Sequence, residues 1–330
     1  MKKRTKIMIG LVVVLIVCLA GVFVYGHSIY QEAEKAIDSS QVELKRGDKS
    51  EKREEKVDPK EDNISILFIG VDDSEARAGS SSLADALVLA TFNKEENSIN
   101  LLSIPRDSYV DVPYQLEKDK ITHVHAKAGL DETVDTVENL LDIPVDYYAR
   151  LDFEAFVKVV DTLGGVEFDV PYYMEESNSQ DVKGTIVLQP GEQLLTGEEA
   201  LAVARTRKYD NDLHRGQRQM ELLETILKKT MSVSNITKYD NLIDDISDHL
   251  TTNMPFNEMI SLHSYVTNGG GLQLEKKQLE GSNLIKEQIY YYELDEESVE
   301  EIQSDLKEHL GLTTSVANTY DRKENDENEG

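Results

Sequence analysis

The sequence contains almost no cysteine and is poor in positive charge. Its single cysteine, Cys18, lies in an apolar run near the N-terminus, so the rest of the chain forms no intramolecular disulfide. The chain has 35 lysine and arginine residues against 63 aspartate and glutamate residues, a formal net charge of −28. Such an acidic surface repels nucleic acid and anionic lipid in general, so any anion must bind at a local cluster of basic residues.

Several catalytic signatures are also absent. The sequence has no G-x-S-x-G motif, which argues against a serine hydrolase with a nucleophile elbow. Asp72 and Asp73 are adjacent, whereas an aspartyl-phosphate phosphatase has D-x-D spacing. His123 and His125 form an H-x-H pair, but no further histidine or cysteine lies nearby in the sequence. This spacing disfavours a transition-metal site, which needs more ligands of these types.

The apolar run near the N-terminus predicts a membrane anchor. Ile7–Tyr25 contains no charged residue and, at ~1.5 Å per residue, would form a helix about 28 Å long, enough to cross a bilayer. Residues 1–6 are basic, so the positive-inside rule predicts a cytoplasmic tail and an extracellular remainder. A cleavable signal peptide is the alternative, but the run is long for one and no A-x-A-like site follows it. The pattern therefore predicts a single-pass, type II protein of the cell membrane.

Charge and apolar patterning divide the remainder into three parts. Residues 26–62 are dominated, from Glu43 onward, by alternating acidic and basic residues with almost nothing apolar, which predicts an extracellular stalk. Apolar runs then predict one folded domain over 63–312, with its motifs concentrated in 63–231. The stretch 313–330 predicts a disordered acidic tail.

Three apolar runs at the start of the folded domain predict strands that are buried on both faces. These runs are Ile64–Val71, Leu87–Phe92 and Ile99–Ile104. The charged residues at their ends are Asp72, Asp73, Asp85, Arg106 and Asp107. Because ligands of α/β proteins bind where strand ends meet loops, these side chains are candidates for a functional site.

Helix signals follow along the chain. Asp152 is expected to cap a helix over Phe153–Leu163, and T-G-E-E from Thr196 is a capping box that opens a short helix. Asp212 is expected to cap a helix from Leu213 to about Met231. Further predicted elements are a helix at Thr133–Leu141, strands at Val166–Val170 and Ile186–Leu188, helices near Leu242–Leu250 and Glu258–Val266, strands near Leu272–Leu279 and Gln288–Leu294, and a helix from Glu296.

A basic run stands against the acidic background. The basic side chains of Ala204–Gln219 are Arg205, Arg207, Lys208, Arg215 and Arg218. Arginine presents a planar set of donors that matches phosphate oxygens two at a time. A solvated basic face, or pairing with the surplus carboxylates, is the alternative. Arg215 and Gln219 lie four residues apart at the start of an apolar helical stripe, which favours a phosphate-binding site.

Paired carboxylates beside arginines suit Mg²⁺-assisted phosphoryl transfer. Mg²⁺ takes one or two protein carboxylates and fills its other positions with water and substrate phosphate oxygens. Arginines then neutralise charge that spreads over the transferring group. Taken alone, Asp72 or Asp85 fits a helix cap or a solvated loop carboxylate equally well, so both interpretations stay open at this point.

The sequence resembles the LytR-CpsA-Psr (LCP) family, and most closely its LytR branch. The stretches that carry the resemblance are, in order, NISILFIGVDDS, DALVLATFN, LLSIPRDSYVDVP, KITHVHAKAG, TVENLLDIPVDYYARLDFEAFVKVVDTLGGVEFDVP, LQPGEQLLTGEEALAVARTR and DNDLHRGQRQ. They cover about Asn63–Met231. The resemblance implies an α/β fold, an α-β-α sandwich around a central mixed sheet, preceded by a single N-terminal transmembrane helix.

The resemblance also implies an activity. Family members, mainly of Gram-positive bacteria, are expected to move a glycopolymer from undecaprenyl diphosphate to a peptidoglycan hydroxyl. For this chain the expected donor carries wall teichoic acid or a similar anionic glycopolymer, the acceptor is peptidoglycan, and the cofactor is Mg²⁺. The domain at 63–312 would then be the catalytic domain, and nucleic acid is not an expected partner.

The family's site residues carry over by motif position. Asp72 and Asp85 match its Mg²⁺ ligands. The residues assigned to pyrophosphate binding are Arg106, Arg205, Arg207, Arg215, Arg218 and Gln219, of which Arg218 matches a position of less defined role. Asp107 is a candidate base for the acceptor hydroxyl or a residue that orients Arg106. Leu83 stands where the family usually has an arginine.

Two other functions remain open on the sequence. The LytR branch has carried the label of transcriptional attenuator, but the predicted topology leaves only residues 1–6 inside, too few for a DNA-binding domain. Hydrolysis of a polyprenyl diphosphate, with water replacing the acceptor sugar, would use the same residues. Supplying an acceptor separates hydrolysis from transfer.

Overall fold

The computed structural model describes 37–72, 82–232 except 116 and 209, 249–262 and 273–312, together with 31, 34–35, 246 and 265. The predicted anchor, Asp73, most of the predicted helix near Leu242–Leu250 and the predicted tail at 313–330 lie outside the described residues. Within the described residues, no helix combines the length and the apolar character needed to cross a membrane.

Strands and helices alternate along the described chain. The strands are β1 (Ile64–Val71), β2 (Ala84–Asn93), β3 (Ser98–Ser103), β4 (Tyr109–Val110), β5 (Asp119–Lys120), β6 (Tyr147–Asp152), β7 (Val166–Val170), β8 (Met174–Glu176), β9 (Ile186–Leu188), β10 (Gly191–Leu195), β11 (Leu250–Thr252), β12 (Gln273–Gln278), β13 (Gly281–Lys286) and β14 (Ile289–Leu294). The helices are α1 (Ile121–Ala128), α2 (Leu130–Leu141), α3 (Phe153–Thr162), α4 (Gly197–Arg205), α5 (Asp212–Ser232), α6 (Phe256–Ser261) and α7 (Glu296–His309).

A six-stranded mixed sheet lies at the centre, in the order β11-β6-β1-β2-β3-β12. β1 and β6 pair in parallel, as do β3 and β12, whereas β2 runs antiparallel to both of its neighbours. Short two-stranded sheets flank it, among them β13–β14 and β4–β5. The C-terminal ends of β1, β3 and β6 and the start of β2 therefore meet at one edge of the sheet.

Alternate residues of the central strands feed two apolar clusters on opposite faces. Leu67 and Ile69 of β1 pack in one cluster with residues of α1, α2 and α7. Ile64 and Ile66 of the same strand pack in the other, with Met220 of α5. This two-sided burial explains why the strands read as continuous apolar runs. The sandwich of helices around a mixed sheet agrees with the predicted α/β class.

Most predicted elements are confirmed, and two local predictions change. β2 begins at Ala84 rather than Leu87, so Asp85 lies inside the strand. Asn211, not Asp212, caps α5, because its Oδ1 accepts a hydrogen bond of 3.1 Å from the backbone N–H of His214. Asp212 is instead the first residue of the helix. Several elements had no predicted counterpart, among them β6 of the central sheet, α1 and β13.

Residues 37–62 pack against the domain, so the prediction of a stalk is wrong for this stretch. Leu44 is 5% exposed and belongs to the main apolar cluster. Arg53 pairs with Asp146 at 2.7 Å, and both side chains are nearly buried. Arg46 pairs with Glu138 at 2.6 Å. Charged residues of this stretch, which suggested a solvated tether, therefore form ion pairs with residues far along the chain.

Candidate functional site

The first two predicted carboxylates lie at neighbouring strand ends on the same edge of the sheet. Val71, the last residue of β1, pairs with Ala84, whereas Gly70 pairs with Ala86, so Asp85 is the extra residue of a β-bulge. A bulge bends a strand and redirects its side chain, and bulges are common beside active sites. Asp72 follows Val71 directly and is 8% exposed.

Arg106 reaches this edge from the end of β3. Ile104 still donates a backbone hydrogen bond to Leu87 of β2, which fixes the chain just before Arg106. The Arg106 guanidinium donates through Nη1 to a carboxylate oxygen of Asp85. Its Nε lies 3.8 Å from Oδ2 of Asp107. The loop after β3 thus joins the bulged strand through a charge-assisted contact.

Asp107 lies between two cations. Besides the nearby Arg106, the Nζ of Lys120 donates to Oδ1 of Asp107 at 2.7 Å, and the Asp107 side chain is 9% exposed. A buried carboxylate held by two basic groups is well placed to orient Arg106. Of the two predicted roles for Asp107, this geometry favours the orienting one.

Close packing of α5 on the sheet carries Arg215 to the same edge. A Cβ at Gly216 would lie 2.4 Å from Oγ of Ser103, at the end of β3, so glycine permits this approach of the helix. The adjacent Arg215 is 5% exposed. Its Nη2 lies 2.5 Å from Oδ1 of Asp212, one turn earlier in α5.

The electrostatics of Arg215 identify its neighbours. Burial lowers the pKa of its guanidinium below the ordinary value, and Asp212 opposes this effect. The positive charges of Arg106 and Arg207 lower the same pKa further, and Asp85 raises it. Three arginines and Asp85 therefore share one electrostatic environment. A buried arginine with like-charged neighbours is stabilised by an additional anion, as a phosphate group would be.

The other members of the basic run differ in their surroundings. Arg207 is exposed and makes no hydrogen bond or ion pair with the residues that the structure describes. Arg205 lies over the ring of Phe153 at 4.6 Å and makes long contacts of 3.3–3.4 Å with the β8–β9 connection. Lys208 pairs with Glu176 at 3.0 Å. Arg207 is thus the exposed cation beside the buried Arg215.

The donors of Arg218, a predicted pyrophosphate-binding residue, are engaged within the fold. This residue is 4% exposed, and its guanidinium donates to the backbone carbonyls of Val203 and Thr206 and to the carboxylate of Asp210. Gln219 is engaged in the same way, because its Nε2 donates to the carbonyl of Ala204 at 3.1 Å. Both side chains fasten α5 to the end of α4, and Arg218 also to the segment after it, and so position the basic run.

The two histidines of the H-x-H pair have different partners. Nδ1 of His123 lies 2.9 Å from Oδ1 of Asp119, and Nδ1 of His125 lies 2.9 Å from the carbonyl oxygen of Ser82. No cluster of three or more histidine, cysteine, aspartate or glutamate side chains suited to a metal occurs among the described residues.

The chemistry of the donor set at the sheet edge fits a magnesium ion. Asp72 and Asp85 offer two carboxylates at neighbouring strand ends. Mg²⁺ needs only one or two, with substrate phosphate and water completing its shell. Arg106, which contacts Asp85 here, lies where it could instead contact such a phosphate.

Sequence reasoning missed two contributors to this edge. Lys120 pairs with Asp107, and the KITHVHAKAG stretch that begins with this lysine does not indicate the pairing. Asp212 was assigned to helix capping, whereas it pairs with Arg215. The available signal was its spacing of three residues before Arg215, which brings the two side chains together on one helical face.

Comparison with known proteins identifies the family. The model of the LytR_cpsA_psr family matches 27–308. The polyisoprenyl-teichoic acid–peptidoglycan teichoic acid transferase TagT of Bacillus subtilis is 40% identical over 315 residues, covering 94% of this chain and 96% of the relative. A structure described as TagT bound to LIIa-WTA superposes with a TM-score of 0.70 at 40% identity, covering 82% of this chain and 99% of that one.

A second solved structure bears directly on the ligand class. It is described as the LytR-CPS2A-psr family protein YwtF (TagT) with bound octaprenyl pyrophosphate lipid. It has a TM-score of 0.65 and 38% identity, and covers 82% of this chain and 99% of that one. The family match spans most of the chain and includes every motif that forms the sheet edge described above, so the chain belongs to the LytR-CpsA-Psr family.

Proposed function

We propose that this chain attaches an undecaprenyl-diphosphate-linked anionic glycopolymer, such as wall teichoic acid, to a peptidoglycan hydroxyl. The observation that carries the proposal is the meeting of Asp72, Asp85 and Arg106 at one sheet edge, to which close packing of α5 on Ser103 brings the buried Arg215. The relatives support it, because TagT is named as a teichoic acid transferase and one TagT structure holds a polyprenyl pyrophosphate.

The chain's own side chains would hold the donor. Arg215 is fixed by packing and burial, so it offers a rigid anchor for one phosphate of the diphosphate. Arg207, exposed beside it, can close on the outer phosphate oxygens. Arg106 can exchange Asp85 for phosphate without leaving the edge. The acceptor hydroxyl would attack the polymer-side phosphorus and form a phosphodiester, while the bond to the bridging oxygen breaks and undecaprenyl phosphate leaves. The charge that develops would be offset by these guanidinium groups.

Asp72 and Asp85 are the proposed metal ligands. A magnesium ion held there would offset the charge of the diphosphate and leave Arg106 for the substrate. Lys120 and Asp107 act indirectly. Lys120 pairs with Asp107, and the Asp107 carboxylate lies near Nε of Arg106 and so helps to orient that side chain. The proposal therefore assigns Asp107 to positioning, and the proton of the acceptor hydroxyl needs another acceptor or solvent.

The proposed location is the outer face of the cell membrane. Ile7–Tyr25 would anchor the chain with residues 1–6 inside, and the domain would stand where peptidoglycan is built. Protease added to cells stripped of wall should then digest the chain beyond about residue 26, whereas protection of the domain would contradict this topology.

Transfer is tested with the purified full chain, a labelled lipid-linked teichoic acid donor and peptidoglycan oligomers. We expect Mg²⁺-dependent appearance of label in the oligomers, and its loss in Asp72→Ala and Asp85→Ala. Asp111→Ala is the control, because that carboxylate is exposed and pairs with Lys118. Release of polymer at the same rate with and without oligomers would identify a diphosphate hydrolase instead.

A further inference from the structure

An aromatic hairpin stands next to the candidate site. The tyrosine hairpin, Gly281–Leu294, consists of β13 and β14 and carries three consecutive tyrosines, Tyr290, Tyr291 and Tyr292. Its two-residue turn, Glu287 and Gln288, has positive φ at both positions, 52° and 68°. Such a turn matches the twist of paired strands, although glycine or asparagine usually occupies it.

One face of the tyrosine hairpin is fixed to the domain. The ring of Tyr291 packs on the ring of Tyr109 in β4, with centroids 4.7 Å apart. Lys286 donates to the hydroxyl of Tyr109 at 2.8 Å. The backbone N–H of Tyr292 donates to the carbonyl of Asp107 at 2.9 Å. The hairpin is therefore attached to the loop that bears Arg106 and Asp107.

The other face is open near the turn, at Tyr290 and Ile285, whereas Tyr292 farther along the same face is 7% exposed. Directly paired residues of antiparallel strands share a face, so Tyr290 and Ile285 lie together, opposite in direction to Tyr291 and Ile289. Tyr290 is 40% exposed and Ile285 is 74% exposed. The hydroxyl of Tyr290 donates to Oδ1 of Asn283 at 3.0 Å, which holds the ring in place. The result is a fixed aromatic ring with an amide beside it.

The open face borders the charged edge of the site. The Nζ of Lys120 lies 5.8 Å from the centroid of the Tyr290 ring and 5.6 Å from that of the Tyr291 ring, and the same Nζ bonds to Asp107. Burial raises the pKa of the Tyr290 hydroxyl, and the charges of Asp107 and Asp212 raise it further. The ring thus lies beside Lys120, which bonds to the loop after β3 that bears Arg106 and Asp107.

The chemistry of this face favours an uncharged sugar over an anionic polymer. An exposed aromatic ring can stack on the apolar C–H face of a pyranose, while an amide bonds sugar hydroxyl or acetamido groups. The cation within reach, Lys120, is already paired with Asp107. Asp107 and Asp212, whose charges act on the Tyr290 hydroxyl, are each paired with a cation, so these pairs leave no excess positive charge for a polyphosphate chain.

We propose that the tyrosine hairpin is the subsite for the acceptor glycan. Tyr290 stacks on an uncharged amino-sugar ring of the acceptor and delivers a hydroxyl of that strand to the diphosphate held by the arginines. This inference rests on the proposed transfer reaction and adds to it the place where the second substrate binds.

The test compares Tyr290→Ala, Tyr290→Phe and Ile289→Ala in the full chain. Ile289 is the matched control, because it is 46% exposed on the same hairpin but on the opposite face. With lipid-linked donor and peptidoglycan oligomers, Tyr290→Ala should raise the KM for the acceptor about five- to tenfold, as expected for one lost stacking contact. Its KM for the donor should not change. Tyr290→Phe keeps the ring and should retain most of the wild-type acceptor KM.

A binding measurement separates this inference from the proposed function. The probe is an uncharged β-1,4-linked N-acetylhexosamine oligosaccharide, titrated into the full chain without donor. We expect weaker binding for Tyr290→Ala than for Ile289→Ala. A wild-type chain that transfers label while both variants keep its acceptor KM and oligosaccharide affinity would overturn the subsite. A raised donor KM for Tyr290→Ala would overturn it too, by assigning the face to the donor. Absence of transfer by the wild type would contradict the proposed function instead.

Discussion

Two arginines of α5 show how neighbouring residues of one type differ in purpose. Arg215 and Arg218 are three residues apart and equally buried, at 5% and 4% exposed. The donors of Arg218 are taken by backbone carbonyls and Asp210. Arg215 has Asp212 and two positively charged neighbours. Burial of an arginine therefore indicates a ligand only where the protein supplies too few anions for it.

The first prediction concerns affinity for the diphosphate. Arg207→Ala and Arg215→Ala should each weaken binding of a short polyprenyl diphosphate about ten- to a hundredfold, because charge-assisted hydrogen bonds are worth roughly 1.5–3 kcal/mol. The lysine variants should recover part of the loss, since lysine keeps the charge but not the planar donor set. Affinity is measured with the purified chain at fixed salt.

Lys208→Ala is the control for this series, because Lys208 belongs to the same basic run but pairs with Glu176. It should bind nearly as tightly as the wild type. Small, equal losses in all the alanine variants would mean that the run acts as a diffuse basic surface.

Arg218 should matter for stability. Arg218→Ala leaves the Asp210 carboxylate and two carbonyls without their donor, which should lower the free energy of unfolding by about 3 kcal/mol. Lys228→Ala, on the same helix, removes an exposed pair with Glu224 and should cost at most about 0.5 kcal/mol. Urea denaturation measures the free energy of unfolding of both variants. Equal losses for Arg218→Ala and Lys228→Ala would contradict a structural role for Arg218.

At the scale of elements, local signals were predictable and distant partners were not. The capping box at Thr196 is present as its sequence indicates, because both of its hydrogen bonds lie within four residues. The strands ending near Asp72 and Arg106 were found from apolar runs alone. The bulge at Asp85 depends on the register between β1 and β2, and no feature of the β2 sequence indicates it. The charged stretch before β1 read as solvated because its partners lie about ninety residues away.

That N-terminal stretch carries the next prediction. Arg53 holds Asp146, whose carboxylate also accepts the backbone N–H of Ser65 in β1 at 2.9 Å. Arg53→Ala strands a buried charge and should destabilise the fold by about 3–5 kcal/mol. Lys45→Ala removes an exposed lysine paired with Asp131 and should cost at most about 1 kcal/mol. Urea denaturation distinguishes the two variants by their free energies of unfolding. An Arg53→Ala variant as stable as the wild type would favour the stalk interpretation of this stretch.

At the scale of the molecule, one buried histidine connects the last described helix to the central sheet. Nδ1 of His309, at the end of α7, lies 2.8 Å from Oγ1 of Thr91, and its Nε2 lies 2.8 Å from Oγ of Ser98. Its carbonyl accepts hydrogen bonds from the side chains of Asn63 and Asn93. The end of the last described helix is thereby tied to β2, to β3 and to the start of β1.

Lowering the pH should weaken the stabilising contacts of His309. Burial lowers the pKa of His309 below the ordinary value of 6.5, so the unfolded chain takes up this proton first. The stabilising contribution is complete above about pH 6.5 and is lost as pH falls through the lower pKa of the folded state. Denaturation between pH 8 and pH 5 should show a smaller decline for His309→Gln than for the wild type. His214→Gln, at an exposed histidine of α5, should follow the wild type, and identical profiles for all three would exclude His309 as the cause.

The packing of residues 37–62 also limits how far the arginines can stand above a lipid surface. With Ile7–Tyr25 as the proposed anchor, a free chain up to residue 62 could hold β1 as much as ~120 Å away, at about 3.3 Å per residue. With everything from residue 37 held against the domain, the connecting chain has about a dozen residues and reaches ~40 Å at most. On the proposed topology, the point where the domain is tethered, residue 37, would then stay within ~40 Å of the headgroups, close to donors that are still lipid-bound and to the newest wall.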